Sequence, residues 1–309
     1  MTLSGELAVS IVISLPTILF TPANVLQNSK NRQPSTTMSI IDYAQNWPTK
    51  IKEQLALDLL KDKTVMITGA SDGIGAELSK CLGLLGANII LLGKTRHKLE
   101  AVFDQIAHTS QGELIIAPCD LSRLEQEDIQ NLHDSIESEF KRLDALIHCA
   151  STLGPKVPLA HYPPDAWAEV MMTNANSVFL LNQGLFDLLD AGEKSCVIHV
   201  SSTVGRKARA YWGAYAVSKF AVEGISQLLA DETEDQGKMK VFSVNPGATR
   251  TKMRKEAYPF EDSKTVPDAS TLMPLFSLLV IGSLLDCPLS KDLPDTGGQI
   301  DARTWQFPN

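Results

Sequence analysis

Apolar runs of strand length alternate with helix-length segments along most of the chain, and this alternation limits the fold more than any other feature. The strand-like runs are apolar throughout, which is typical of strands covered on both faces of a sheet. They are residues 64–67, 88–92, 113–118, 145–148, 196–200 and 241–244. Helical segments follow at residues 74–85, 98–108, 126–140, 165–189 and 215–231. This order predicts a doubly wound, parallel α/β sheet of the Rossmann type.

Two parts of the chain depart from this alternation. Residues 252–269 are polar, rich in turn formers and directly follow the sixth strand, so we predict that they form a substrate lid. Residues 7–20 are apolar but too short for a comfortable membrane span, and residues 27–37 are polar and typical of disorder. We therefore expect a disordered or non-native extension over 1–37 and a single domain over 38–309. A weak export signal or membrane anchor near the N-terminus is the alternative.

Charge and cysteine content exclude several kinds of partner. The formal net charge is −8 and no basic run occurs, so we expect no nucleic acid partner. The 5 cysteines have no metal-like spacing and the 6 histidines form no HExxH pair, so we predict no metal site. Cysteines beside apolar strands are typical of buried, reduced thiols, which favours a cytoplasmic protein outside the membrane.

A glycine-rich turn joins the first strand to the first helix and reads T-G-A-S-D-G-I-G over 68–75. Glycines allow a pyrophosphate to approach the backbone, and the N–H groups at the start of the helix bind that anion. The position after the first strand of a βαβ unit favours a dinucleotide site over a plain turn. The predicted contacts are Gly69, Ser71, Asp72, Gly73, Ile74 and Gly75.

The spacing of that turn, TGxxxGxG rather than GxGxxG, resembles the short-chain dehydrogenase/reductase family in its short, single-domain subgroup. The resemblance extends from about residue 63 to about residue 302. It implies an enzyme that transfers a hydride between a nicotinamide cofactor and a small carbonyl or alcohol substrate. The sequence Y-W-G-A-Y over 211–215 is also similar to an uncharacterised oxidoreductase branch of proteobacteria, which implies no particular substrate.

The end of the second strand indicates which nicotinamide cofactor is used. An acidic residue there would bond the ribose 2′-hydroxyl of NAD. The chain instead has Gly93, followed by Lys94 and Arg96, and two cations without a carboxylate favour the 2′-phosphate of NADP(H). The alternative is that both cations are ordinary solvated loop residues.

The family resemblance implies further cofactor contacts after the third, fourth and sixth strands. They are Asp120, Leu121, Ala150, Pro246, Gly247, Thr249 and Thr251. Asp120 would contact the adenine amine, with a helix N-cap as its other role, and Thr251 would lie near the nicotinamide and phosphates. The fourth strand reads H-C-A-S over 148–151 where the family usually has NNAG. We interpret His148 as an interior structural residue and not as a catalytic base.

Four polar residues match the active site of the family in type and spacing. Ser202 lies thirteen positions before Tyr215, Lys219 lies four positions after it, and Asn174 lies in the preceding helix. Lys219 would share a helix face with Tyr215 and would also hold the nicotinamide ribose. A Tyr and Lys at this spacing are common on helices, but four matches downstream of a matching phosphate loop are not.

The resemblance also implies how these residues act. Tyr215 would give a proton to the carbonyl oxygen while Ser202 donates a hydrogen bond to it. A free tyrosine titrates near pH ~10, and the Lys219 ammonium with an oxidised nicotinamide favours the phenolate, so we expect a lowered pKa for Tyr215. We expect Asn174 to fix a water that links Lys219 to solvent.

The remaining expectations concern assembly and the rival function. Helices that carry Asn174 and Tyr215 form subunit contacts in the family, which implies a homodimer or homotetramer. Tyr211 and Trp212 are expected at the substrate pocket or the subunit contact, unless they only pack the loop onto the helix. The alternative function is a catalytically silent NADP(H)-binding regulator or scaffold, although such a protein would ordinarily have lost the tyrosine or the lysine.

Overall fold

The computed structural model describes residues 40–56, 58–110 and 112–307, so the predicted extension over 1–37 lies outside the described residues. Within the described part, one sheet of seven parallel strands forms the centre. Its strands are β1 (Thr64–Thr68), β2 (Asn88–Gly93), β3 (Leu114–Pro118), β4 (Ala145–His148), β5 (Ser195–Val200), β6 (Met239–Asn245) and β7 (Gly298–Asp301). Their order is β3-β2-β1-β4-β5-β6-β7, which confirms the predicted doubly wound sheet and adds β7 to it.

Helices cover both faces of this sheet. They are α1 (Ile40–Tyr43), α2 (Thr49–Lys52), α3 (Gly73–Leu84), α4 (Arg96–Ile106), α5 (Gln126–Phe140), α6 (Pro164–Met171), α7 (Ser177–Gly184), α8 (Phe186–Asp190), α9 (Gly213–Thr233), α10 (Lys252–Ala257) and α11 (Met273–Leu284). Side chains alternate across a strand, so Val65 and Ile67 of β1 pack with α3 and α4, whereas Met66 packs with α5 and α7. Both faces of the strands are therefore buried, as their continuous apolar sequence predicts.

The helix α11 is buried along its whole length, and the sequence analysis did not identify it. The stretch Ser263–Leu284 is long and apolar enough to cross a membrane by composition, but most of it is buried inside the protein. Phe276 and Leu279 are fully buried in the same apolar cluster as Leu78 and Leu82 of α3. A helix that is apolar on all sides is in this case a core helix.

The predicted long helix over 165–189 is interrupted twice. A π-helical turn, Met172–Asn176, separates α6 from α7, and α8 begins after a break at Leu185, whose φ of −115° is not helical. The apolar spacing correctly predicted that most of this segment is helical. It could not predict the extra residue in the π turn, because one inserted residue leaves most of the apolar stripe of the helix in place.

The segment before the first strand is part of the folded domain. Ile40, Ala44, Trp47 and Ile51 are buried in the cluster that contains α3 and α11. The Tyr43 hydroxyl donates to a carboxylate oxygen of Glu77 on α3 at 2.5 Å. These residues therefore pack into the same core as the helices of the sheet.

Residues 252–269, the predicted lid, follow β6 and begin with α10. Arg254 donates two hydrogen bonds to the carboxylate of Glu261, and Arg250 pairs with Asp268 at 2.7 Å. These ion pairs fold the segment back on itself, so it is more ordered than its turn-rich composition indicates.

Candidate active site

The strand order reverses between β1 and β4, and loops that leave the sheet in opposite directions there open a crevice at its carboxyl edge. A pocket of about 540 Å³ lies at this edge. Segments that follow β1, β4, β5 and β6 line it, together with parts of α9 and α10. The sequence-predicted residues that line it are Gly69, Ser71, Asp72, Gly73, Ile74, Gly75, Ala150, Ser202, Tyr215, Lys219, Pro246, Gly247, Thr249 and Thr251.

The glycine turn after β1 lines the pocket and leaves no room for a Cβ at Gly69 or Gly75. Gly69 has a φ of +68°, and a Cβ there would lie 2.8 Å from the Cα of Ala150. A Cβ at Gly75 would lie 2.4 Å from the carbonyl oxygen of Gly69. Asp72 is the N-cap of α3, where its carboxylate accepts from the N–H of Gly73 at 2.7 Å. The other N–H groups of the first helical turn have no partner within the helix.

Four predicted cofactor contacts lie outside this pocket, at the ends of β2 and β3. Lys94 pairs with Asp120 at 2.9 Å, and Arg96 pairs with Glu100 at 2.9 Å. Burial opposes ionisation of Asp120, but hydrogen bonds led by that from Lys94 outweigh it and lower the pKa of this carboxyl. Leu121 is buried in the apolar core. Lys94 and Arg96 are both exposed at the surface beside the pocket's glycine end.

Ser202 and Tyr215 lie together in the pocket, at the end of β5 and in the first turn of α9. Burial raises the pKa of Tyr215 to about 12, against an opposing effect of the nearby Ser202 hydroxyl. The expected lowering of this pKa is therefore not produced by the protein groups alone. Removal of the phenol from water disfavours the phenolate more than its neighbours favour it.

Lys219 lies one helical turn beyond Tyr215 and is buried, with its ammonium 5.7 Å from the centre of the Tyr215 ring. The ammonium donates to the carbonyl oxygen of Val200 at 2.8 Å, which fixes it at the end of β5. Burial lowers the pKa of Lys219 to about 8, and the nearby carboxylate of Glu223 acts in the opposite direction. The lysine is thus a cation that changes charge just above neutral pH.

Asn174 is buried in the π turn and does not line the pocket. Its side chain accepts from the backbone N–H of Thr152 at 2.8 Å, and donates to the carbonyl oxygen of the same residue and to the hydroxyl of Ser218. Both donor bonds of the side-chain amide therefore go to protein groups, and its oxygen accepts one bond. The structure shows it holding the loop after β4 against α9, rather than facing Lys219 through its side chain.

The turn after β6 forms the third wall of the pocket. The amide oxygen of Asn245 accepts from the backbone N–H of Gly247 at 3.1 Å and holds the turn closed. Thr251 is the N-cap of α10, and its hydroxyl accepts from the N–H of Arg254 at 3.1 Å. Thr249 is buried at the same edge.

An aromatic wall lines the pocket beside Tyr215. The Trp212 ring lies 5.6 Å from that of Tyr215 and 6.0 Å from that of Tyr258, which follows α10. The ammonium of Lys156 lies 4.8 Å from the centre of the Trp212 ring and 4.8 Å from that of Tyr258. Trp212 lines the pocket, whereas Tyr211 is exposed and does not.

Residues 63–262 match the family model for short chain dehydrogenases, which is more than half of the chain. The chain belongs to the short-chain dehydrogenase family. It is 40% identical over 223 residues to YciK, an uncharacterised oxidoreductase of Escherichia coli K12, which covers 72% of this chain and 88% of YciK. The expected likeness to uncharacterised bacterial oxidoreductases is thereby confirmed.

Solved structures of relatives have the same fold as this short-chain dehydrogenase. A short chain dehydrogenase of Shigella flexneri, solved in complex with NADP, is 39% identical, has a TM-score of 0.73 and covers 80% of this chain and 100% of its own. A short chain dehydrogenase of Escherichia coli CFT073, in complex with NADPH, is 40% identical, has a TM-score of 0.72 and covers 80% of this chain and 99% of its own.

A buried pair of histidines spans the neighbouring strands β4 and β5 of this family member. His148 and His199 stack with their ring centres 5.1 Å apart, and Asn182 bridges their Nε2 atoms at 2.9 and 3.0 Å. Burial lowers the pKa of His148 to about 4, with a smaller opposing effect from Asn182. A neutral, bonded ring between two strands agrees with the structural interpretation of His148.

Glu223 is a buried carboxylate that the sequence analysis missed. It binds Arg206 at 2.9 Å, Ser243 at 2.6 Å and Gln299 at 2.9 Å. Its signal in the sequence is the spacing of Lys219 and Glu223, four residues apart on the same helix, which puts the carboxylate on the face that carries the lysine. Glu223 thus ties the loop after Ser202 to β6 and β7 while facing Lys219.

Proposed function

We propose that this short-chain dehydrogenase is an NADP(H)-dependent oxidoreductase that transfers a hydride between nicotinamide and a carbonyl or alcohol substrate, with Tyr215 as the acid/base. The observation that carries the proposal is that Ser202, Tyr215 and the buried Lys219 line the same pocket as the glycine turn, with the Lys219 ammonium 5.7 Å from the centre of the Tyr215 ring. One pocket thus combines an anion-binding turn with a proton donor.

The residues of the pocket fit a dinucleotide. A Cβ at Gly69 or Gly75 would collide with neighbouring backbone, so glycine lets the turn pack tightly, and the start of α3 offers N–H groups to a pyrophosphate. Lys94 and Arg96 supply two exposed cations for a 2′-phosphate, which would replace the carboxylate that each now contacts. The NADP and NADPH complexes of the two similar enzymes support the same cofactor here.

When bound, nicotinamide supplies or accepts the hydride, and the protein controls the proton and the carbonyl oxygen. Because burial keeps Tyr215 neutral near pH 7, its phenol can give a proton to a carbonyl oxygen during reduction. Ser202 donates a hydrogen bond to the same oxygen and orients it. The Lys219 ammonium favours the phenolate that results, and it is the group that would hold the ribose hydroxyls.

Asn174 acts in this proposal as a positioning residue. It joins Thr152 of the loop after β4 to Ser218 of α9, and Ser218 lies directly before Lys219. These hydrogen bonds therefore hold the loop after β4 at a fixed distance from α9.

We also propose that the enzyme is a homodimer or homotetramer that assembles through α7 and α9. Phe179 on α7 and Val217, Phe220 and Leu228 on α9 are large apolar side chains that are at least 42% exposed. A patch of this kind marks an interaction surface. Sedimentation of the wild type and of Leu228→Glu should give an oligomer and a smaller species, respectively, and a wild-type monomer would refute this part.

The decisive experiment is titration of NADPH and NADH into the wild type and Tyr215→Phe, followed by turnover with a panel of carbonyl compounds. We expect both proteins to bind NADPH, and only the wild type to oxidise it in the presence of a carbonyl compound. Failure to bind either nucleotide would refute the enzyme proposal. Binding of NADPH without turnover of any carbonyl by the wild type would favour the silent regulator or scaffold.

A further inference from the structure

The outer half of the pocket, lined by Arg209, Trp212 and residues 252–258, has more positive than negative groups, although the chain as a whole has a formal charge of −8. The cations at or directly behind this surface are Lys156, Arg209, Lys252 and Arg254, and the carboxylates are Glu256 and Glu261. A pocket that is basic within an acidic protein concentrates anions at its opening.

Three of these cations already have partners. Arg254 forms a two-pronged ion pair with Glu261, and its guanidinium lies 3.9 Å from the centre of the Tyr258 ring. Lys156 donates to a carbonyl oxygen at the end of α10 at 2.9 Å. Lys252 lies 3.8 Å from the carboxylate of Glu256, one helical turn away. Each of these cations stabilises the lid itself.

Arg209 differs from them because its guanidinium has no hydrogen bond or ion pair with any of the residues that the structure describes. It is exposed, lines the pocket and lies in the loop between Ser202 and Tyr215. The N–H of Trp212 donates to the carbonyl oxygen of Arg209 at 3.3 Å, and Tyr211 within this turn has a left-handed φ of 71°. The turn therefore keeps Arg209 and Trp212 at the pocket and Tyr211 outside it.

We propose that the substrate is a carbonyl compound that also carries an anionic group, carboxylate or phosphate, and that Arg209 binds this group beside the wall of Trp212 and Tyr258. This inference rests on the proposed function. A guanidinium binds either anion through two parallel hydrogen bonds, and the aromatic rings accept the apolar body between the anion and the carbonyl. Arg209 is not needed for the cofactor phosphates, because the glycine turn and Lys94, which lies outside the pocket, are the groups proposed to bind them.

The test uses the full enzyme with saturating NADPH and three related aldehydes. The probes are para-carboxybenzaldehyde, para-formylphenyl phosphate and the neutral methyl ester of the first. Turnover is followed by NADPH consumption, and binding to the enzyme–NADPH complex by isothermal titration calorimetry. The proteins are the wild type, Arg209→Ala, Arg209→Lys and Lys207→Ala, the last a control because Lys207 is an exposed cation of the same loop outside the pocket.

We expect at least one anionic probe to exceed the ester about tenfold in kcat/KM with the wild type, as one charge-assisted hydrogen bond implies. Arg209→Ala should remove this preference, Arg209→Lys should keep part of it, and Lys207→Ala should keep all of it. Which anion is preferred identifies the substrate class. A preference for the ester, or one that survives Arg209→Ala, would overturn the inference while leaving the proposed function intact. If the complex neither reduces nor binds any anionic probe, the inference is also wrong, and failure to bind NADPH refutes the proposed function itself.

Discussion

The two ends of the pocket are built by different means. At the end proposed for the nucleotide, the turn at Gly69 and Gly75 leaves no space for a Cβ, and the proposed ligands are N–H groups of α3. At the end proposed for the reaction, the surface is made of side chains, with Ser202, Tyr215 and Lys219 held by α9 and by the end of β5.

This difference indicates how each end can fail. A backbone site is damaged when atoms are added to it, whereas a side-chain site is damaged when atoms are removed. Mutations at the first end should weaken cofactor binding and leave proton transfer intact. Mutations at the second end should slow proton transfer and leave cofactor binding intact. The following experiments test that separation.

The largest effect should come from Ser202→Ala. Loss of a hydrogen-bond donor to a reacting oxygen lowers kcat by roughly 10²–10³-fold, while NADPH binding should stay within about twofold of wild type. Steady-state kinetics and fluorescence titration give the two values. The control is Ser201→Ala, since the neighbouring hydroxyl is buried without a hydrogen-bond partner among the described residues. Equal losses in the two variants would contradict the assignment.

Gly75→Ala should have the opposite signature. Its Cβ would meet the carbonyl oxygen of Gly69 at 2.4 Å, so the turn must move. Overpacking of this kind costs about 1–3 kcal/mol, and where the NADPH-bound state carries that cost the Kd of NADPH rises roughly fivefold to 150-fold. The control is Gly224→Ala on α9, where nothing lies within 4 Å of the new Cβ. Unchanged NADPH affinity in Gly75→Ala would show that the glycine turn is not part of the cofactor site.

Lys94→Ala should change cofactor choice rather than chemistry. Because Lys94 is exposed, screening limits its contribution, and we expect NADPH to weaken about fivefold relative to NADH, less so at high salt. Lys98→Ala, which removes an exposed cation of α4, should not alter the ratio of the NADPH and NADH affinities. An unchanged ratio in Lys94→Ala would mean that another group reads the 2′-phosphate.

The smallest effect should be a shift in the pH profile of Glu223→Gln. Burial lowers the pKa of Lys219 to about 8, so activity should fall as the pH rises through that value and the ammonium is lost. The Glu223 carboxylate favours the ammonium, and its removal should move this falling limb to lower pH. Kinetics of kcat/KM against pH would measure the shift. Glu232→Gln, at an exposed site on the same helix, should leave the limb in place.

Most of the pocket end that contains the glycine turn could be predicted from the sequence. Less could be predicted of the end that contains Ser202, Tyr215 and Lys219. Strand–turn–helix order and the glycine spacing are local features, so the chain around Gly69 and Gly75 was predicted correctly as a turn that lines the pocket. The broken helix around Asn174 was not predictable, because a π turn preserves the apolar stripe. Glu223 could not be assigned because its partners come from distant parts of the chain, with Gln299 seventy-six residues away. The pKa of Tyr215 depends on burial, which only the folded structure defines.

The buried helix α11 has a consequence for biosynthesis. It packs against α3, about two hundred residues earlier in the chain, so the apolar face of α3 stays uncovered until residue 284 has left the ribosome. Contacts between such distant segments form late and slow folding. The nascent chain therefore emerges with part of the apolar surface of α3 uncovered, and a ribosome stalled before Met273 should yield a product that chaperones retain.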